Sequence, residues 1–211
     1  MSDPQPPAVP VVSGPGTAGA RIARGISDVF SPPLMSAVLI ALAAVLAGRR
    51  GEAGAWRWAV VEIALGVLLP LAHLTWLVHR GHVLDIHLPL RAERIRPFIL
   101  TGAGTALTLG LAVLLDAPGI MSRVFAAILV QTMLLFAVTL RWQISVHSAT
   151  AASLAALVGR LAGATAATAA LVVLAAVVGW ARVRLARHTP AQVAAGLALG
   201  AAVMWLALAA G

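Results

Sequence analysis

The sequence predicts an all-α fold, a polytopic membrane helix bundle of six or seven transmembrane segments. Three observations lead there. Hydrophobic residues make up 61% of the 211 residues and charged residues only 10%, whereas about a quarter of a soluble domain is charged. The apolar residues fall into runs close to the roughly 20 needed to span a bilayer. The charged residues gather at the ends of those runs. No repeat, heptad pattern or soluble domain interrupts them.

In chain order, residues 1–20 are rich in Pro, Gly and small residues without a period, which predicts a disordered tail. The tail lacks the basic start and apolar run of a signal peptide, so it is expected to stay attached. Residues 21–211 form the membrane-embedded domain. Its expected segments are Pro32–Ala47, Trp56–Val78, Phe98–Leu115, Ile120–Leu140, Ser148–Val158, Leu161–Trp180 and Ala191–Ala210. Ser31-Pro32 sets a cap before a first-turn proline, and 48–54 and 116–119 are tight polar turns. The Ser148–Val158 segment is short, and is either a partial span or fused with its neighbour around Gly159–Arg160. Gly196-x-x-x-Gly200 permits close helix contact. Trp56, Trp58, Trp142 and Trp180 fit interfacial belts. Arg123 and Arg160 are expected to snorkel. Glu62 and His73, eleven residues apart, fall on one face of an ideal helix, as intramembrane ionisable groups with functional potential.

Three polar clusters remain, 79–97, 141–148 and 182–192. Two spans separate the first from the second. Two more separate the second from the third, provided Ser148–Val158 crosses. An even number of crossings returns the chain to the same face, so all three clusters are expected to meet on one side of the bilayer.

The clusters combine arginines with His147 and His188 but only two acids, Asp85 and Glu93. That poverty of carboxylates disfavours a metal site, and His82 and His87 have the wrong spacing for one. The chain has no cysteine, which excludes thiol chemistry. Its net charge of +8 sits at helix ends rather than in a polar domain, which points to lipid head groups or phosphate rather than nucleic acid. Arginine forks bind phosphate oxygens in pairs. Two histidines supply a nucleophile and a general acid. The set suits phosphoryl transfer without a metal or other cofactor.

Arg96-Pro97, Ser145-x-His147 and Arg182 followed after five residues by His188 resemble, in order, the three motifs of the type 2 phosphatidic-acid phosphatases. These lipid phosphate phosphatases share an active site with vanadium haloperoxidases. The resemblance spans about Arg91 to Gly196. It implies that His188 attacks phosphorus, that His147 protonates the leaving oxygen, and that Arg96 and Arg182, with Arg91, clamp the phosphate. It also implies that Ser145 donates a hydrogen bond and that Gln192 orients the nucleophile. The departures are definite. Pro89 stands where the family has lysine, Ile144 and Val146 where it has proline and glycine, Ala181 where it has serine, and Gln192 where it has aspartate. The dolichyl-diphosphatase and glucose-6-phosphatase branches also carry His-x-x-x-Gln. Thr189-Pro190-x-Gln192 is in its own right a capping box, a second use for the same glutamine.

The expected substrate is a lipid phosphate or diphosphate, polyprenyl first, then phosphatidic acid or phosphatidylglycerophosphate. The alternative is a degenerate, non-catalytic relative that binds or transports phospholipid or scaffolds lipid synthesis. The expected location is a bacterial plasma membrane. Ten arginines on the cluster face against five opposite favour a cytoplasmic site, although setting aside Arg141 and the four site arginines levels the count. Homo-oligomerisation stays open.

Overall fold

The computed structural model describes residues 17–81 and 95–209, and those residues are helical with short connections. The helices are α1 (Ala18–Val29), α2 (Pro32–Arg49), α3 (Ala55–Glu62), α4 (Leu69–His79), α5 (Ile95–Leu114), α6 (Gly119–Thr139), α7 (Val146–Ala162), α8 (Ala166–Arg184) and α9 (Pro190–Ala209). A π-helical turn, Ile63–Leu68, joins α3 and α4 into one span, Ala55–His79. Six of the described helices are long and apolar enough to cross a membrane.

The shorter α7 is the axis of the bundle. Its 17 residues rise about 25 Å, enough for most of the hydrocarbon layer. All eleven residues from Ser148 to Val158 are buried. The segment read as a partial span is therefore a full helix, enclosed by its neighbours. It does not fuse with α8 at Gly159–Arg160, because helix α7 continues through those residues. The break comes at Gly163, whose φ of 81° is left-handed and suits glycine. Thr165 then caps α8 by accepting from Thr168 N at 3.3 Å.

Glycines allow α9 to lie against α7. A Cβ on Gly196 would come within 2.5 Å of Ser145 O, and one on Gly200 would fall on the Ala149 carbonyl. The two helices run in the same direction. Ser153 Oγ donates to Gly200 O at 3.0 Å, and further along Gly159 faces Trp205. The Gly-x-x-x-Gly pattern thus serves as the contact it predicted.

The two ends of the bundle are distinct. At one, Arg50 donates to Leu161 O at 2.8 Å and Glu52 accepts from Ile120 N at 3.0 Å, capping α6. At the other lie the starts of α7 and α9, the end of α8, and α1. Phe98, near the start of α5, packs against the buried cluster of Leu135, Ile144 and Ala149, so α5 also begins at this end.

Glu62 and His73 do not act as a pair. The π-helical turn between them shifts the helical phase. Glu62 turns into the bundle and accepts from Thr105 Oγ1 at 2.7 Å, tying this span to α5. His73 stacks on the exposed Trp76 at 5.9 Å. Glu62 lies seven residues in from Ala55, in the half of the bundle away from the site. Trp56, Trp142 and Trp180 are exposed, as a belt requires, and Arg160 lies over the Trp205 ring at 5.8 Å.

Candidate active site

The end of α8 sets up the third cluster. Arg187 N donates to Arg182 O at 3.1 Å and Ala186 N to Val183 O at 2.9 Å, the two bonds that close a helix around a left-handed residue. That residue is Ala186, at φ 52°. The reversal turns His188 inward, where it is 8% exposed, while Arg182, on the last turn of α8, is 5% exposed. Arg184 and Arg187 point outward and are exposed, as head-group anchors would be.

The capping box closes as its pattern predicts. Gln192 N donates to Thr189 Oγ1 at 3.3 Å, and Thr189 N donates to Gln192 Oε1 at 3.0 Å. The same Oε1 lies 3.3 Å from His188 Nδ1. Capping and orientation therefore do not compete for the side chain, since one oxygen with two lone pairs serves both. The Thr189 N–H also settles which end of the amide is which, because it requires an acceptor there. Nδ1 has a second neighbour, Gln143 O at 3.2 Å. Both neighbours are acceptors, so Nδ1 carries the proton, and in the neutral ring Nε2 holds the lone pair.

The second and third clusters are joined through the backbone. Ser145 N donates to Gln192 O at 3.2 Å. Ser145 is the N-cap of α7, with Oγ accepting from Ser148 N at 3.4 Å and lying 2.9 Å from Ser148 Oγ. It is fully buried. The Ser145 hydroxyl thus caps the helix that it begins. His147 lies half-buried on the first turn of α7. The dipole of that helix start favours an anion beside it.

Arg96 is exposed on the first turn of α5, at the same end. Arg91, with His82, Asp85, His87, Pro89, Glu93 and Arg94, lies outside the described residues, so its expected place in the phosphate clamp does too. No group of three or more His, Cys, Asp or Glu that could hold a metal occurs among the described residues.

Two contacts of the site lie outside the motifs. The carbonyl of Gln143 leaves no trace in a sequence, because any residue supplies one. Ser27 of α1 accepts from Arg182 Nη1 at 2.6 Å. Its signal was available: α1 is strongly amphipathic, with Ala23 and Ser27 on its buried side. Helix α1 also begins at Ala18, inside the stretch read as tail, while residues 1–16 lie outside the described residues.

Fold and site define a class: a polytopic α-helical membrane protein with histidines and arginine gathered at one end of the bundle. The chain belongs to the PAP2 superfamily, whose family model matches residues 34–210. That membership carries phosphatase chemistry on lipid phosphates in general. No curated protein and no solved structure matches the chain.

Proposed function

We propose that the protein hydrolyses a lipid phosphate or diphosphate, a polyprenyl one by preference, through a phosphohistidine and without a metal. The observation that carries this reading is the setting of His188 Nδ1 between Gln143 O and Gln192 Oε1 at 3.2 and 3.3 Å. Two acceptors hold the ring as the tautomer whose Nε2 is a nucleophile.

In the first step Nε2 attacks phosphorus. The N–P bond forms as the bond to the lipid oxygen breaks, and His147 gives its proton to that oxygen. In the second step His147 takes a proton from water as the water oxygen attacks phosphorus. The N–P bond breaks and inorganic phosphate leaves. Arg182, and Arg96 from α5, neutralise charge on the phosphoryl oxygens throughout. Gln192 brings no negative charge to His188 but accepts from the proton that the ring carries through both steps. Ser145 holds the start of α7 in place.

A lipid substrate suits the setting. Below the contact between Gly179 and Val193, α8 and α9 part over α7. They leave an apolar groove of about 770 Å³, floored by Ala152, Ala155, Ala156 and Gly159. It begins near Leu197, about 10 Å along α9 from its start, on the same three helices that carry the site.

The test is phosphate release by purified protein from polyprenyl diphosphate, polyprenyl phosphate, phosphatidic acid and phosphatidylglycerophosphate, with chelator present. Release is expected in chelator and is expected to be lost in His188→Ala and His147→Ala. A phosphate label from the substrate is expected to be trapped on His188 in an acid-labile form. Activity retained by His188→Ala sinks the mechanism. Tight binding of every lipid phosphate without turnover establishes instead the non-catalytic reading, which the uncharged Gln192 favours.

A further inference from the structure

Helix α1 has three sides. Arg21, Arg24 and Asp28 are exposed on one, Ile22 and Val29 on another, and Ala23 and Ser27 are buried on the third. A short helix with a polar face, an exposed apolar face and a packed face fits the boundary between water and lipid. Its packed side lies against α8. Two side-chain bonds fasten it there, Arg182 Nη1 to Ser27 Oγ at 2.6 Å and Arg184 Nη2 to Thr17 Oγ1 at 3.2 Å. The first is buried, with Ser27 only 2% exposed.

We propose that Ser27 is a positioning residue for phosphate binding: it holds the Arg182 guanidinium in its binding orientation, so that α1 is part of the active site. This rests on the reading of Arg182 as a phosphate ligand. A guanidinium has five N–H donors in a fixed plane, so the bond from Nη1 to Ser27 constrains the direction of the others. Rigid placement matters because an ordered arginine loses less freedom when it meets its anion. The chemistry of the partner matters as well. A carboxylate in the place of Ser27 would orient Arg182 but would neutralise it and compete with phosphate. A hydroxyl oxygen accepts the same bond without adding a negative charge of its own. The bond links α1 to α8 across 155 residues of sequence, so the position of an interfacial helix is coupled directly to the phosphate-binding group.

The test compares wild type with Ser27→Ala, Ser27→Thr and Arg182→Ala in detergent, on the lipid phosphate that wild type turns over best. It reads kcat, KM and competitive inhibition by inorganic phosphate. In Ser27→Ala the KM and the phosphate inhibition constant are expected to rise together by about 5-fold, the loss of one charge-assisted bond, with kcat within about 2-fold. Ser27→Thr, which keeps the hydroxyl, is expected to restore both. A purely structural role would lower the melting temperature and the active fraction without moving the inhibition constant. Should Ser27→Ala not purify folded, Ser27→Cys removes the strong acceptor at nearly constant volume and takes its place. An unchanged inhibition constant in folded Ser27→Ala, or in Ser27→Cys where that replaces it, overturns the proposal. Unchanged phosphate inhibition in Arg182→Ala overturns the underlying reading instead. Loss in Arg182→Ala with no effect at Ser27 leaves that reading standing and removes only the role of α1.

Discussion

Gln192 concentrates the chemical question in one oxygen. Its Oε1 accepts from the Thr189 backbone and faces His188 Nδ1, so a single side chain both begins α9 and fixes the ring. Replacing the aspartate of the family by glutamine keeps the acceptor and discards the charge. On the proposed mechanism the glutamine would keep the orienting contact and lose electrostatic stabilisation of a positively charged ring. Gln192→Leu separates the two uses. Loss of the cap alone costs about 1 kcal/mol of stability, an amount that leaves most of the protein folded. Loss of the Nδ1 acceptor lets the ring take the other tautomer and is expected to cut kcat by at least about 100-fold. Thermal melting and initial rates on the same preparation check this. A variant that melts slightly lower yet turns over normally would show that Gln192 is a cap only, with Gln143 O sufficient for His188. Ser145 makes the complementary point. The resemblance implies a donor to phosphate at this serine, and the fold also uses its hydroxyl to cap α7.

At the scale of elements, the site depends on how closely α7 and α9 approach. His147 belongs to the first helix, Gln192 to the second, and His188 to the loop that enters the second. The bonds between them, Ser145 N to Gln192 O at 3.2 Å and His188 Nδ1 to Gln143 O at 3.2 Å, require backbones in near contact. Gly196 and Gly200 supply that contact. Gly200→Ala puts a methyl group on the Ala149 carbonyl, where no flexible side chain can yield. It is expected to destabilise by about 1–3 kcal/mol and to lower activity further by parting Gln143 from His188. Gly110→Ala is the control, because a Cβ there meets nothing within 4 Å; activity should not move, and stability should hold or rise by up to about 1 kcal/mol. Detergent melting curves and phosphate release on both variants decide the matter. Equal behaviour of the two would mean that the helices slide to accommodate the methyl group and that site geometry tolerates it.

The whole molecule shows which parts of such a protein can be read from sequence. Helix number, the all-α class and the meeting of the second and third clusters follow from hydrophobic length and parity, which need no knowledge of packing. The course of α7 was harder, because a helix enclosed by protein carries Ser, Thr and His in place of a lipid-facing surface, and hydropathy reads those residues as weakness. The phase shift between Glu62 and His73 was not legible, since a π-helical turn leaves no pattern of its own. The role of α1 was half legible, as amphipathicity without a partner. Parity also yields a test of the entire topology. If α7 crosses, the chain makes seven crossings from Pro32 to Ala209, and Arg187 and Gly51 lie on opposite faces. The chain has no cysteine, so Arg187→Cys and Gly51→Cys each introduce a single thiol into an otherwise unreactive protein. An impermeant maleimide applied to intact bacterial cells is expected to label one variant and not the other, and permeabilised cells should label both. Labelling of both in intact cells would break the parity argument and return α7 to a partial span. Which variant reacts reports the side. Among the described residues eight arginines stand at the site end and five at the other. Setting aside Arg96, Arg141 and Arg182 leaves five at each end, so the labelling rather than the charge count assigns the side.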